Sequence, residues 1–521
     1  MKTRITYLQP PSSSFVSSQA HLTPHALHID GLDAAKEERI TVDVGEVSAL
    51  VCTTLKQFHE LHLRWATEER YEAVEPWGSR VSPGLHGGVR LVEVDEEVES
   101  HAVSPLCDIL REAFDRGVYC EGILKSLTAP PTPLSESSAS SPSSPSTTTH
   151  NYYAPLPTHH VVEFITQHIC PLEVAGADCR RRAEAVQSAD SIDIDYDAES
   201  QALVVSAYWG RSPTENGWTE EIAAPGGKHD RVEVGLLGTE KAVEAGEIKM
   251  GGLLGVVGVD GELKPTLFSF PSRHHVLDPQ ADFSVSFAPP TGMHPTMTIS
   301  LSAAALETPP APAYAECALH AYLSLPSYIF ADKFQLMTAD NLFLDSHHLS
   351  GLRAVSGATD LEAPDWVVSQ WGSNWLLELA TPEPTQFPEE WNVTIPLHLR
   401  YMRPSETGYR GVDVPWPVVF WACSADDPGV NPFDRTNLGW DAPFSPRTTF
   451  YQVNPSASGD RLVEGLDVPV LQLKERGLFG SKTVEWGTVM AISLGFLWVL
   501  WRLVAGAGTR RAEGEREKKA Q

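Results

Sequence analysis

Apolar and polar positions alternate most strictly between Trp391 and Tyr401. Every odd residue there is apolar (Trp391, Val393, Ile395, Leu397, Leu399, Tyr401), with Asn392, Thr394, Pro396, His398 and Arg400 between them. A period of two over that length predicts a strand with one face on a core and the other in water. After a Pro/Ser/Gly turn at 403–408, Val412, Val414, Trp416, Val418 and Phe420 alternate again, so the two runs read as a hairpin. Pro415 and Pro417 cannot donate to a ladder, and the second strand is expected at an edge or in irregular pairing. Asn392-Val393-Thr394, on the wet face of the first strand, is an N-glycosylation sequon.

The same reading predicts short strands over Cys317–Leu325 and Asn374–Leu379, and a β-rich stretch over 151–305 that includes Ser191–Trp209. Nearer the start, Ile40–Leu55 reads as one or two strands and Gln57–Tyr71 has helical spacing. Between Ala129 and Thr149 almost every residue is Ser, Thr or Pro, a composition that cannot bury enough apolar surface to offset its ordering entropy. The expected organisation is an N-terminal region (1–128), a disordered linker (129–150), a β-rich region (151–305) and a second β domain (312–480). The expected fold class is mainly β, with antiparallel β-sandwich-like domains and a single C-terminal transmembrane helix.

That helix is expected at 487–507, GTVMAISLGFLWVLWRLVAGA, with Arg502 as its one charge. At 1.5 Å per residue it spans roughly 30 Å, the thickness of a bilayer's hydrocarbon core. Arg510, Arg511, Arg516, Lys518 and Lys519 follow it, so the positive-inside rule favours a cytosolic tail over 508–521. The last four residues, Lys518-Lys519-Ala520-Gln521, look like a dilysine signal for retrieval to the endoplasmic reticulum, which works only in the cytosol. Sequon and tail together place the bulk of the chain in the lumen. The N-terminus has no apolar run able to serve as a signal-peptide core, which leaves a tail-anchored protein with a cytosolic bulk as the competing topology.

A length of 521 residues implies two or three domains, and a net charge of -29 argues against nucleic-acid binding. Seven scattered cysteines without a CxxC pair fit neither a zinc site nor a small disulfide scaffold. One or two bridges are possible in an oxidising compartment; Cys317 and Cys423 share a predicted domain and are candidates. Asp193 and Asp195 alternate with Ile192 and Ile194, which reads as a solvated strand face rather than a calcium loop or a sugar-nucleotide DxD. His21, His25 and His28 are interrupted by Pro24. No nucleophile elbow, HExxH helix or phosphate loop occurs, and no cofactor or metal site is expected.

Three blocks resemble the PIG-X family, whose fungal members are called protease B non-derepressible proteins. Leu325–Leu336 (LPSYIFADKFQL) is similar to the family's LP…F.D.…L segment, and Thr359–Pro364 (TDLEAP) to its DLE.P element. Pro396–Cys423 resembles the PLHxRY…Y…PxPxxFxxC signature through Pro396, Leu397, His398, Arg400, Tyr401, Tyr409, Pro415, Pro417, Phe420 and Cys423. The resemblance implies a noncatalytic subunit in the endoplasmic reticulum membrane. It would bind and stabilise the polytopic catalytic subunit (PIG-M type) of glycosylphosphatidylinositol mannosyltransferase I, which adds the first mannose in anchor biosynthesis. On that reading His398, Arg400, Tyr401 and Tyr409 either contact the partner or hold the hairpin. A general lumenal folding factor is the alternative, and an enzyme built on Asp193 and Asp195 the third.

Overall fold

The computed structural model describes residues 1–10, 19–91, 104–115, 118–133, 149–157, 160–170, 176–227, 230–241, 246–288, 292–311, 315–382, 390–424, 438–456, 461–473 and 480–518. The chain divides into two units: Met1–Tyr401 with Asp413–Leu466, and Met402–Val412 with Asp467–Gln521. Strands dominate the first unit, and the second contains the C-terminal apolar helix.

A ten-stranded sheet is the largest element of the first unit. Its middle strands, Lys2–Gln9, Ala35–Asp43, Ala202–Trp209, Ser191–Asp197 and Phe58–Ala66, are antiparallel neighbours in that order. Lys2–Gln9 also pairs in parallel with Arg231–Glu240. Strands from 1–128 and from 151–305 therefore interleave, so the Ser/Thr/Pro stretch is not a boundary between folding units. Of that stretch, 134–148 lie outside the described residues, and its flanks form the strands Thr132–Pro133 and Thr149–Ala154. Nor does 305/312 divide the chain, because Asp282–Phe287 and Thr296–Ser302 join a sheet with Glu390–Leu399.

Two N-terminal expectations need correction. Gln57–Tyr71 contains a strand, Phe58–Ala66, and Ala49–Leu55 is a helix capped by Ser48. Phe58, Leu61 and Trp65 satisfy helical spacing while Leu61, Leu63 and Trp65 satisfy strand alternation, and two ladder partners, Ser191–Asp197 and Gly84–Leu91, decide for the strand.

The hairpin is also corrected. Glu390–Leu399 is a strand with Val393, Ile395, Leu397 and Leu399 buried, but it pairs with Thr296–Ser302 and Ile329–Ala331 in a five-stranded sheet. Val418–Ser424 lies inside a different, seven-stranded sheet, between Cys317–Pro326 and Thr448–Gln452. Its consecutive residues from Val418 to Cys423 are all buried, so both faces are covered and an edge position is ruled out. Pro415 and Pro417 fall at the break before it, where no ladder hydrogen bond is needed. The intervening Tyr409–Pro415 pairs instead with Val463–Pro469.

Against one face of the seven-stranded sheet, Trp440 and Leu438 pack on Tyr322, Leu376, Phe420 and Phe450. Cys317 and Cys423 are direct cross-strand neighbours, 4.0 Å apart at Cα, and are joined by a disulfide. Two further bridges, Cys107–Cys120 and Cys170–Cys179, exceed the one or two anticipated and leave Cys52 as a free thiol. In the second unit a helix runs Ser481–Lys518, with an exposed apolar stretch Lys482–Ala505 of mean hydropathy 1.8. The tail expected after 507 is helical to Lys518.

Candidate functional site

Arg400 follows the last residue of its strand, and there the alternation that assigned it to the wet face ends. Its side chain is only 2% exposed. The guanidinium Nη1 donates to the carbonyls of Asp360 and Ala363 (2.9 Å for the latter), and Nη2 donates to Ala358 O at 3.1 Å. The guanidinium carbon lies 4.0 Å from the Phe330 ring centroid, and the Arg400 amide donates to Tyr328 O at 2.8 Å. One side chain from the third family block thus gathers the second block, Thr359–Pro364, and the first, Leu325–Leu336.

Neighbouring bonds tighten the junction. Ser327 Oγ donates to Asp365 Oδ1 at 2.6 Å, and the Asp365 amide donates to Tyr401 O at 3.0 Å. Asp332 caps the short helix Lys333–Leu336, accepting from the Phe334 amide at 2.8 Å. His398 stacks on Phe330 at 5.5 Å and meets His294 across Nδ1 atoms 3.1 Å apart; burial, with His294 beside it, lowers its pKa.

In and beside these segments, apolar side chains are presented to solvent. Among the described residues of the first unit, seven of the twelve exposed large apolar side chains lie between Phe334 and Tyr401. They are Phe334, Met337, Leu342, Leu361, Trp366, Val367 and Tyr401, with Phe334 at 69%, Leu342 at 81% and Tyr401 at 68% exposure. Isolated exposed apolar residues need no explanation, but here they are concentrated on a few short segments. Of these, sequence reasoning singled out Tyr401 alone. The signal available for the rest was three short loop or helix segments richer in large apolar residues than loops require.

Other expected positions behave differently. Asn392 is exposed, and its Oδ1 accepts from Ser300 Oγ. Tyr409 is also exposed and belongs to the second unit, where its carbonyl accepts from Ser405 and Thr407. Lys518 ends the long helix, and Lys519 lies outside the described residues. Asp193 is buried and accepts from Arg64 Nε at 2.8 Å, and Asp195 faces His62 Nδ1 at 2.7 Å. Burial raises the Asp195 pKa, but Arg64 and His62 outweigh it and hold the carboxylate low. Both acids are therefore internally paired, and the described residues contain no cluster able to hold a metal ion.

Residues 290–504 match the family described as PIG-X / PBN1. The chain is 54% identical to Protein pbn1 of Emericella nidulans over 99% of its own length and 100% of that protein's. It is 52% identical to Protein pbn1 of Aspergillus oryzae over the full length of both, and 36% identical to Protein pbn1 of Neurospora crassa over 96% and 95%. With the three signature blocks meeting at Arg400 and likeness running through the whole chain, this protein belongs to the PIG-X / PBN1 family.

Proposed function

We propose that the chain is a noncatalytic subunit of glycosylphosphatidylinositol mannosyltransferase I, binding and stabilising its polytopic catalytic subunit in the endoplasmic reticulum membrane. Family membership supports a role in glycosylphosphatidylinositol-anchor biosynthesis. The observation that carries the finer reading is the concentration of exposed large apolar side chains between Phe334 and Tyr401, since a subunit that stabilises a membrane protein needs a lasting apolar contact. Among the described residues one helix is long and apolar enough to cross a membrane, which supplies an anchor but too little membrane structure to hold a lipid-linked donor and a lipid acceptor.

Three disulfides and an exposed sequon support a lumenal position for the first unit, because bridges persist in oxidising compartments. The test is co-purification of the catalytic subunit with the double variant Phe334→Glu, Leu342→Glu. We expect recovery to fall at least about tenfold, a hot-spot-sized loss, while this chain's own abundance is unchanged. Undiminished recovery removes the docking role of the surface. If depletion of the chain lowers unrelated membrane proteins before any anchor defect appears, a general folding factor replaces the subunit reading.

A further inference from the structure

Residues 70–83 form an irregular strap in which Trp77, Ser79, Arg80 and Ser82 are all buried. Arg80 is 8% exposed, yet its Nε and Nη1 have no hydrogen-bond partner, and no carboxylate lies within ion-pair distance of it among the described residues. Its guanidinium carbon sits 4.7 Å from the Tyr71 ring centroid, which offsets part of the cost of burying the charge. Asp190, the acid that senses Arg80, is held by the Gly210 amide at 2.6 Å.

Arg80, Ser82 and Gln452 line one cavity of about 20 Å³, together with the Trp416–Val419 segment of the family signature. Ser82 Oγ and Gln452 Nε2, each 2% exposed or less, are likewise without partners. Nearby acceptors are taken. Gln452 Oε1 accepts from the Arg80 amide at 2.9 Å, Arg80 O from Trp440 Nε1 at 2.9 Å, and Pro83 O from the Tyr153 hydroxyl at 2.6 Å. Ser82 O is bonded to His86 Nε2 at 2.7 Å.

We infer that Arg80, Ser82 and Gln452 form a buried binding site for a small monovalent anion of chloride size. The volume exceeds the roughly 10–15 Å³ that one water needs and suits a single small ion. The buried side-chain atoms without partners here, Arg80 Nε and Nη1, Ser82 Oγ and Gln452 Nε2, can all donate. A water there would find few acceptors for its own protons, whereas an anion accepts from all three side chains and neutralises the buried guanidinium. The bound ion would tie the N-terminal strap to the PWPVV segment and the strand Thr448–Gln452.

The experiment is thermal unfolding of the full-length protein in detergent, in sodium chloride against sodium gluconate at matched ionic strength. A saturable rise of about 2–5 °C in chloride is expected for the wild type. Gln452→Glu keeps an oxygen for the Arg80 amide and sets a carboxylate beside the guanidinium, so it should abolish the chloride response. Equal midpoints in the two salts for the wild type, or a response unchanged in Gln452→Glu, would overturn the proposal. Should the variant not fold, crystals soaked in bromide decide: an anomalous peak within hydrogen-bonding reach of Arg80, Ser82 and Gln452 supports the site, and its absence refutes it.

Discussion

Arg400 shows how far the role of one side chain depends on what surrounds it. Its carbonyl partners Ala358, Asp360 and Ala363 lie in a segment with no regular ladder of its own, so the guanidinium does there what a neighbouring strand does elsewhere. Arg400→Ala leaves those carbonyls without their donor and should cost about 3 kcal/mol, read as a lower urea midpoint. Arg400→Lys should recover less than half, because an ammonium cannot span the planar fork. Histidines supply a second test at this scale. Burial pushes His86 and His320 down to about 4 and His274 to about 3. The folded state thus binds these protons less readily than the unfolded chain, so their contribution is complete above roughly pH 6.5 and is lost as pH falls toward 4. Unfolding midpoints from pH 7 to pH 4.5 should decline by up to about 1.4 kcal/mol per pH unit per histidine, and His320→Gln should flatten its share. An acid-insensitive midpoint over that range would contradict the buried, neutral histidines.

Among the elements, the strand pair Cys317–Pro326 and Val418–Ser424 joins residues far apart in the chain. The bridge between Cys317 and Cys423 spans a sequence separation of 106, so reduction or a Cys317→Ser, Cys423→Ser double variant should destabilise the first unit by about 4 kcal/mol. Thiol labelling in denaturant should find one reactive cysteine, Cys52, in the oxidised protein and five in the double-serine variant once the other two bridges are reduced. Strand alternation was legible at this scale wherever one face meets solvent, as in Glu390–Leu399. It was not legible at Phe58–Ala66, where Phe58, Leu61 and Trp65 fit the helical period and Leu61, Leu63 and Trp65 the strand period, nor in the continuous apolar run Val418–Cys423.

For the whole molecule the open question is which side of the membrane holds the first unit. A glycosidase-sensitive mobility shift that disappears in Asn392→Gln is the expected result if Asn392 is lumenal, since the residue is exposed and belongs to the chain's one sequon. Digestion of the first unit by protease in intact microsomes would instead establish a cytosolic bulk.

Local chemistry determined much of this protein by itself. Period-two patterning announced a mainly β chain, a long apolar stretch announced the helix near the C-terminus, and the three signature blocks carried the family. What only the tertiary structure decided is which strands pair and which polar groups end up inside. Alternation states that a face is buried but not against what, so the run from Trp391 and the run to Phe420, read together as one hairpin, went to separate sheets. The same limit applies to Arg400, Asp193 and Arg80, whose burial depends on groups brought close by folding; in a sequence each is only a charged residue beside apolar ones.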